Sequence, residues 1–294
     1  MVCGWIRCSD DTGSVAVWRV RFVSRAGNRG IVTHDMPQPG PDALPDLLNS
    51  INLQASTMKL LVLQHIACEH PGQLREYLAS DGVDWQSVEL DEGEKIPPLD
   101  PFDALWVMGG PMDVWDTEEH PWLIEEKEAI REWVTVLKRP YLGLCLGHQL
   151  LADALGGECG RLDPPEIGVM DVQLTEAGVA DPIFADMPST QRALQWHSVQ
   201  VTRCPTNTTV LAKSSTCANQ AMRVGDNAWS MQFHVEVEPD TVSTWSQVPA
   251  YRQALINSLG EAALPAMLDE ANSQLPDFMQ NSRVLYNNFM RAAF

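Results

Sequence analysis

Apolar residues follow two different spacings from Met58 onward. Short apolar runs such as residues 58–64 predict buried strands, and segments such as residues 122–138 place their apolar residues on one face of a helix. The same patterns predict further elements, in chain order: helix 73–80, strands 83–90, 103–108 and 141–145, helix 147–155, strands 167–174, 192–196, 209–213, 219–224 and 228–234, and helix 276–292. This alternation predicts an α/β fold, with an open, mostly parallel sheet and helices on both faces.

The two ends of the chain differ from this pattern. Residues 1–57 lack sustained periodicity and contain a proline-rich stretch, so we expect a disordered N-terminal extension, or a sequence upstream of a true start at Met58. The alternating domain is predicted to span residues 58–245. Beyond it the pattern turns helical, and we expect residues 246–294 to form a helical C-terminal extension packed on the domain.

Composition narrows the class of protein. The formal net charge is −19, and all of it belongs to residues 58–294, because residues 1–57 hold five Arg and five Asp. Such an acidic chain repels phosphate backbones, so we expect no nucleic-acid partner. No apolar run reaches the roughly 18–20 residues of a membrane span. The seven cysteines are scattered, without a C-x-x-C pair or the spacing of a zinc site, which favours free thiols, no metal and a cytoplasmic location.

The segment Gly143-Leu-Cys-Leu-Gly147 lies where a buried strand is predicted to meet a helix. Its G-x-nucleophile-x-G spacing indicates a nucleophile elbow, a tight turn that presents its central side chain at the carboxyl end of a sheet. Cys145 would lie at the N-terminus of the helix, where partial positive charge stabilises a thiolate. The amide of Leu146 would be free to donate to an oxyanion. The alternative is a small buried apolar cysteine, but the strand before and the helix after favour a nucleophile.

Two further segments supply partners for such a cysteine. Gly109-Gly110-Pro111 also follows a predicted strand, and its amides could donate to the same oxyanion, although alone it is typical of an ordinary turn. His234 and Glu236 lie two residues apart at the end of a predicted strand, where residues i and i+2 share a face. The carboxylate can then orient the imidazole as a general base. The acid follows the histidine here, which argues against the α/β-hydrolases, where it precedes it.

Together these segments resemble the class I glutamine amidotransferase family. Four segments carry the resemblance, in the family's order and within about Met58 to Thr244: the oxyanion loop at Gly109-Gly-Pro-Met, the nucleophile segment Gly143-Leu-Cys-Leu-Gly-His-Gln149, the glutamine-binding segment Trp196-His-Ser198 and the triad segment Gln-Phe-His-Val-Glu236. The likeness is nearest to the stand-alone branch that is similar to the amidotransferase domain of GMP synthase. It implies a flavodoxin-like sheet.

The resemblance also implies a reaction. Cys145 would attack the side-chain amide carbon of glutamine and form a γ-glutamyl thioester. His234 would take the thiol proton and pass it to the departing ammonia, and Glu236 would orient His234. The amides of Gly110 and Leu146 would form the oxyanion hole, and water would then release glutamate.

The resemblance places the substrate's amino-acid end against three residues. Gln149 and the backbone of His197 and Ser198 would hold it, and no cofactor is implied. One departure from the family's pattern is Val235, which stands where a proline is usual between the histidine and the glutamate. A second is the lack of any Ser-Gly-Gly phosphate loop, so we expect no synthetase domain in the chain.

These observations leave three hypotheses open. The first is a glutaminase that feeds ammonia to a synthetase partner in trans. The second is a stand-alone γ-glutamyl peptidase or hydrolase with the same Cys-His-Glu triad. The third is a catalytically silent binding or regulatory protein on this fold, which the intact triad argues against.

Overall fold

The computed structural model describes residues 58–294 and, before them, only the backbone of three short strands. β1 (Gly4–Cys8), β2 (Val17–Arg21) and β3 (Thr33–Asp35) form an antiparallel sheet in the order β1-β2-β3. The remainder of the N-terminal extension that the sequence predicts to be disordered lies outside the described residues. Residues 58–294 form a compact unit of their own.

A nine-stranded sheet forms the centre of this unit, in the order β5-β4-β6-β7-β12-β11-β10-β8-β9. Its strands are β4 (Lys59–Gln64), β5 (Asp84–Glu89), β6 (Ala104–Val107), β7 (Tyr141–Leu144), β8 (Glu158–Leu174), β9 (Thr190–Arg203), β10 (Thr208–Lys213), β11 (Ala221–Val224) and β12 (Ala228–Met231). The strands from β5 to β12 run parallel, and the pairs from β12 to β9 are antiparallel. The predicted open α/β sheet is confirmed, and its antiparallel half makes it mixed.

Helices cover both faces of the parallel half, as predicted. They are α1 (Leu74–Ser80), α2 (Trp122–Glu132), α3 (Leu146–Ala154), α4 (Glu176–Ala180), α5 (Thr241–Trp245), α6 (Pro249–Leu259) and α7 (Ala263–Ala293). Successive residues of a strand point to opposite faces. In β4, Leu60 and Val62 therefore pack in the core with α1 and α7, whereas Leu61 and Leu63 pack with α2 and α3.

The buried apolar side chains of residues 58–294 form three clusters, and the C-terminal helices complete two of them. The buried side chains of Leu285, Tyr286 and Phe289 attach α7 to the sheet. Helices α5 and α6 bring Trp245 and Tyr251 into a separate apolar cluster with β8 and β9. Across residues 58–294 and the three short strands, the structure contains no helix that is both long and apolar enough to cross a membrane.

Several elements have other bounds than the sequence predicts, and for two of them the physical reason can be identified. β8 begins at Glu158, nine residues before the strand predicted at 167–174. Its first half contains Pro164 and Pro165, which cannot donate to a ladder, and the register with β9 shifts between Arg161 and Glu166. The helix predicted over 122–138 is an α-helix only to the end of α2 and continues as a π-helical turn.

Candidate active site

Cys145 occupies the turn between β7 and α3. The strand ends at Leu144 and the helix begins at Leu146, so the predicted strand–Cys–helix junction is present. The φ of Cys145 is 49°, a left-handed value that a non-glycine residue adopts rarely and at a cost. Its amide donates to the carbonyl oxygen of Met231 at 2.8 Å, which ties the turn to the end of β12. The thiol is therefore held at the carboxyl end of the parallel strands and at the positive end of α3.

The glycines on either side of Cys145 are required by close packing. A Cβ at Gly147 would lie 2.1 Å from the carbonyl oxygen of Val107, and a Cβ at Gly143 would lie 2.6 Å from the carbonyl oxygen of Gly147. No side chain fits at either distance, so only glycine allows the strand, the turn and the helix to pack as they do. The spacing that predicts the elbow therefore has a steric cause.

His234 and Glu236 follow β12 rather than ending it. Regular pairing stops at Met231, and the amide of His234 donates to the carbonyl oxygen of Leu194 at 3.0 Å. Nδ1 of His234 lies 2.7 Å from Oε1 of Glu236, and both side chains are buried. The structure thus brings the predicted base and its predicted orienting acid into direct contact.

The electrostatics of His234 suit a proton carrier. Burial lowers the pKa of His234, but the adjacent Glu236 and the nearby Cys145 outweigh this effect, and the pKa stands well above its usual value. Nε2 of His234 is buried and has no hydrogen-bond partner among residues 58–294. The ring nitrogen opposite Glu236 therefore remains available for proton exchange.

A chain of two glutamine side chains leads to the thiol. Nε2 of Gln149 donates to Oε1 of Gln232 at 3.1 Å and to the carbonyl oxygen of Val199 at 3.2 Å. Gln232 in turn directs its Nε2 at Sγ of Cys145, 3.5 Å away. Gln232 was not singled out from the sequence, although it precedes His234 by two residues. The amide hydrogens of Gln149 are already committed to protein acceptors.

The two predicted oxyanion donors lie beside the thiol. Leu146 is the residue after Cys145, and Gly110 lines the same cavity as Cys145. In the described part of the chain, neither amide donates a hydrogen bond to a protein acceptor. Both N–H groups are thus available to an oxygen atom that arrives with a substrate.

The cavity at Cys145 has a volume of about 210 Å³. Its wall includes Gln149 and the backbone segment His197–Ser198, so the structure brings the predicted substrate-binding residues to the predicted nucleophile. The charged side chains in its lining are Asp113 and Arg161, which form an ion pair of 2.5 Å. A small polar molecule with charges of both signs would match this lining.

Comparison with protein families decides what kind of domain this is. The family model described as glutamine amidotransferase class-I matches residues 72–244, more than half of the chain. The chain belongs to the class I glutamine amidotransferase family. The matched segment contains every residue of the predicted site.

Individual relatives agree with this assignment. The glutamine amidotransferase-like protein YfeJ of Salmonella typhimurium is 32% identical over 191 residues, which cover 63% of this chain and 78% of that protein. A subunit of the glutamine-hydrolysing GMP synthase of Sulfolobus acidocaldarius is 31% identical over 154 residues, covering 52% of this chain and 77% of the relative. The crystal structure of a glutamine amidotransferase from Thermotoga maritima superposes with a TM-score of 0.71 at 26% identity, covering 79% of this chain and 98% of that one.

Val235 makes a contact that a proline could not make in this amidotransferase domain. The N–H of Val235 donates to Oε2 of Glu236 at 2.8 Å, and proline has no N–H. The carboxylate is therefore held at both oxygens, by the ring of His234 and by the backbone. The departure that the sequence shows at this position adds a hydrogen bond to the triad.

His197 has no ring nitrogen left for a substrate. Its Nδ1 donates to the carbonyl oxygen of Val199 at 2.8 Å, and its Nε2 lies 2.9 Å from Oε2 of Glu166. Glu166 also accepts hydrogen bonds from Ser214, Thr216 and Gln220. The ring therefore secures the wall of the cavity, which leaves the backbone of the segment to face a ligand.

Glu69 is a buried carboxyl group that sequence reasoning missed. A carboxylate oxygen of Glu69, a ring nitrogen of His234 and a carboxylate oxygen of Glu236 lie within 4.8 Å of one another. In the described part of the chain, no other group of three or more such side chains could hold a metal ion. A metal ion that entered here would compete with the hydrogen bond between His234 and Glu236. The only sequence signal was an acidic residue shortly after a buried strand, at the edge where the other site residues gather.

Proposed function

We propose that this protein hydrolyses the side-chain amide of glutamine to glutamate and ammonia through a γ-glutamyl thioester on Cys145. The observation that carries the proposal is the placement of the Cys145 elbow in one cavity with Gly110, together with the buried His234–Glu236 pair, whose histidine has its pKa raised by the nearby Cys145. A nucleophile, an oriented base and free oxyanion donors are the parts that acyl transfer requires.

The reaction balances with these groups. The thiolate of Cys145 forms a bond to the amide carbon, and the carbonyl oxygen becomes an oxyanion that the amides of Gly110 and Leu146 stabilise. The imidazolium of His234 gives its proton to the nitrogen, the C–N bond breaks and ammonia leaves. Water then attacks the thioester while His234 takes its proton, and the C–S bond breaks to return the thiolate and glutamate.

The oriented histidine supports general acid–base catalysis at neutral pH. Glu236 binds Nδ1, so the second nitrogen of His234 is the one that shuttles the proton between thiol, ammonia and water.

The proposed hydrolysis releases ammonia, which a partner protein can consume. Relatives named as a subunit of a glutamine-hydrolysing GMP synthase support a synthetase partner in trans. A stand-alone γ-glutamyl hydrolase is the alternative. The observation that favours it is the 64% exposure of the Arg161 side chain in the cavity wall, since an open wall leaves room for a larger leaving group. The free thiols of the five described cysteines support a reducing, cytoplasmic setting.

Glutamate release by the purified full chain tests the proposal. The substrates are glutamine and a set of γ-glutamyl peptides, and hydroxylamine is added to capture a thioester as γ-glutamyl hydroxamate. We expect release from glutamine that Cys145→Ala abolishes and that Cys204→Ala, a half-buried cysteine outside the cavity, leaves in place. Release from peptides but not from glutamine would select the hydrolase alternative, and full activity of Cys145→Ala would overturn the mechanism.

A further inference from the structure

His65 contacts the oxyanion loop and does not itself line the cavity. It follows β4 directly, its side chain is fully buried, and its Nδ1 lies 2.8 Å from the carbonyl oxygen of Gly109. A carbonyl oxygen can only accept a hydrogen bond, so Nδ1 of His65 must carry the proton. The hydrogen bond therefore fixes the direction of the Gly109 carbonyl group.

Glu126 and Trp122 hold the His65 ring in place. Nε2 of His65 lies 2.9 Å from Oε1 of Glu126, and both side chains are completely buried. Burial lowers the pKa of His65, but the charge and hydrogen bond of Glu126 outweigh it and raise the pKa. The ring also stacks on Trp122, with centroids 5.5 Å apart and planes 19° apart. Its rotation is thus blocked in two ways.

The geometry of a peptide bond carries this constraint across to Gly110. In a trans peptide the C=O and the following N–H point in opposite directions. The carbonyl of Gly109 points at His65, so the N–H of Gly110 points away from it. Gly110 lines the cavity that contains Cys145.

We propose that His65, held by Glu126, is a positioning residue that keeps the Gly109–Gly110 peptide oriented with its N–H toward the oxyanion of the reacting amide. The proposal rests on the proposed amide hydrolysis. A peptide between two glycines has little intrinsic preference between its two orientations. An external hydrogen bond is therefore needed to select one, and losing an oxyanion donor costs on the order of 10²- to 10³-fold in kcat.

Two substitutions of His65 separate this role from a purely structural one. An Asn side chain places its NH₂ group near the position of Nδ1, whereas a Gln side chain reaches toward the position of Nε2. His65→Asn can therefore still donate to Gly109, and His65→Gln can only reach residue 126. Both are made together with Glu126→Gln, so that no unpaired charge is buried, and Glu126→Gln alone provides the reference rate.

We expect the His65→Gln protein to lose at least 30-fold in kcat relative to the His65→Asn protein, with KM within about twofold. An aldehyde analogue of the glutamine side chain, whose adduct with Cys145 carries an oxyanion, should bind more weakly by a similar factor. When Cys145→Ala is added to each of these two proteins, their affinities for glutamine should be equal. Equal losses in both variants, or a change in KM alone, would overturn the proposal.

Crystal structures of the two variants test the peptide orientation without any turnover. The carbonyl of Gly109 should keep its direction in the His65→Asn protein and reverse in the His65→Gln protein. An unchanged peptide in both would overturn the positioning role even if the enzyme is active. A wild-type protein that hydrolyses neither glutamine nor γ-glutamyl peptides would instead remove the proposed function, while the two structures would still decide what His65 holds.

Discussion

Tyr251 of α6 donates a hydrogen bond of 2.5 Å to Oε1 of Glu69, on the segment after β4. Oε2 of Glu69 is buried without a partner among residues 58–294, and the carboxyl group lies against Gly109, where an added Cβ would be 2.4 Å from Oε2. Burial, with a smaller contribution from Glu236, raises the pKa of Glu69 to about 7. One carboxyl group thus joins a C-terminal helix to the oxyanion loop and the triad.

The raised pKa of Glu69 predicts a pH-dependent penalty on folding. The unfolded chain ionises this group near 4.5 and the folded chain near 7, so its penalty is absent below pH 4.5, grows between pH 4.5 and 7, and is constant above. Glu69→Gln removes this pH-dependent penalty. We expect the free energy of unfolding of Glu69→Gln, minus that of wild type, to increase by roughly 2 kcal/mol from pH 5 to pH 8, as measured by urea denaturation.

Glu128 of α2 provides the control for this measurement because it is exposed. Glu128→Gln should leave the pH dependence of unfolding parallel to that of wild type. If Glu69→Gln also ran parallel to wild type, the carboxyl group would be ionised in the folded protein. Its contact with Tyr251 would then be a bond to a carboxylate.

The triad could be located from the sequence because each member lies in a segment with its own spacing signal. The glycines around Cys145 and the two-residue step from His234 to Glu236 could be recognised without the fold. Residues His65 and Glu69 had no such signal. Each becomes part of the site only because β4 and β6 are neighbours, so that the segment after β4 contacts Gly109.

Tyr251 was beyond prediction for a related reason. It belongs to α6, which the sequence pattern assigned to a helical extension rather than to the site. Its hydroxyl reaches a residue 182 positions earlier in the chain, and single-sequence patterns carry no information at that range. The first half of β8 was not predicted either, because its two prolines are atypical of a strand, although this half pairs with β9.

Removing the charge of Glu236 should impair catalysis more than stability. Glu236→Gln keeps the volume but loses the carboxylate that raises the pKa of His234 and fixes its tautomer. We expect kcat for glutamine to fall on the order of 10²- to 10⁴-fold, with a lower His234 pKa in an NMR titration. Glu238→Gln, two residues later and paired with Arg75, is the matched control and should keep the wild-type rate. An unchanged rate in Glu236→Gln would mean that another group orients His234.

Gly147, two residues after Cys145, should not tolerate substitution by alanine. The Cβ of Gly147→Ala would lie 2.1 Å from the carbonyl oxygen of Val107, so β6 and α3 would have to separate. We expect a loss of about 3 kcal/mol in the free energy of unfolding and a loss of Cys145 reactivity toward iodoacetamide. Gly160→Ala in β8 is the comparison, because its Cβ would meet only the side chain of Thr202, with the methyl group at 3.1 Å. Similar stabilities of the two variants would show that the elbow can relax.

The packing of α7 predicts that the helix stabilises the strands that lead into the site. Phe289 is buried edge-on against Trp106 of β6 and Trp229 of β12, with centroid distances of 5.9 and 6.0 Å. Phe289→Ala therefore opens a cavity beside β6, which leads to Gly109, and β12, which leads to His234. We expect a loss of about 3–5 kcal/mol in the free energy of unfolding by urea denaturation.

Met279 on the same helix tests whether that loss comes from the core contact. Its side chain is 38% exposed, so Met279→Ala should change stability by less than about 1 kcal/mol. Equal effects of the two substitutions would mean that α7 contributes through its helicity rather than through Phe289. A large loss confined to Phe289→Ala, with kcat preserved in the folded fraction, would instead show that the helix supports the sheet without setting the geometry of the triad.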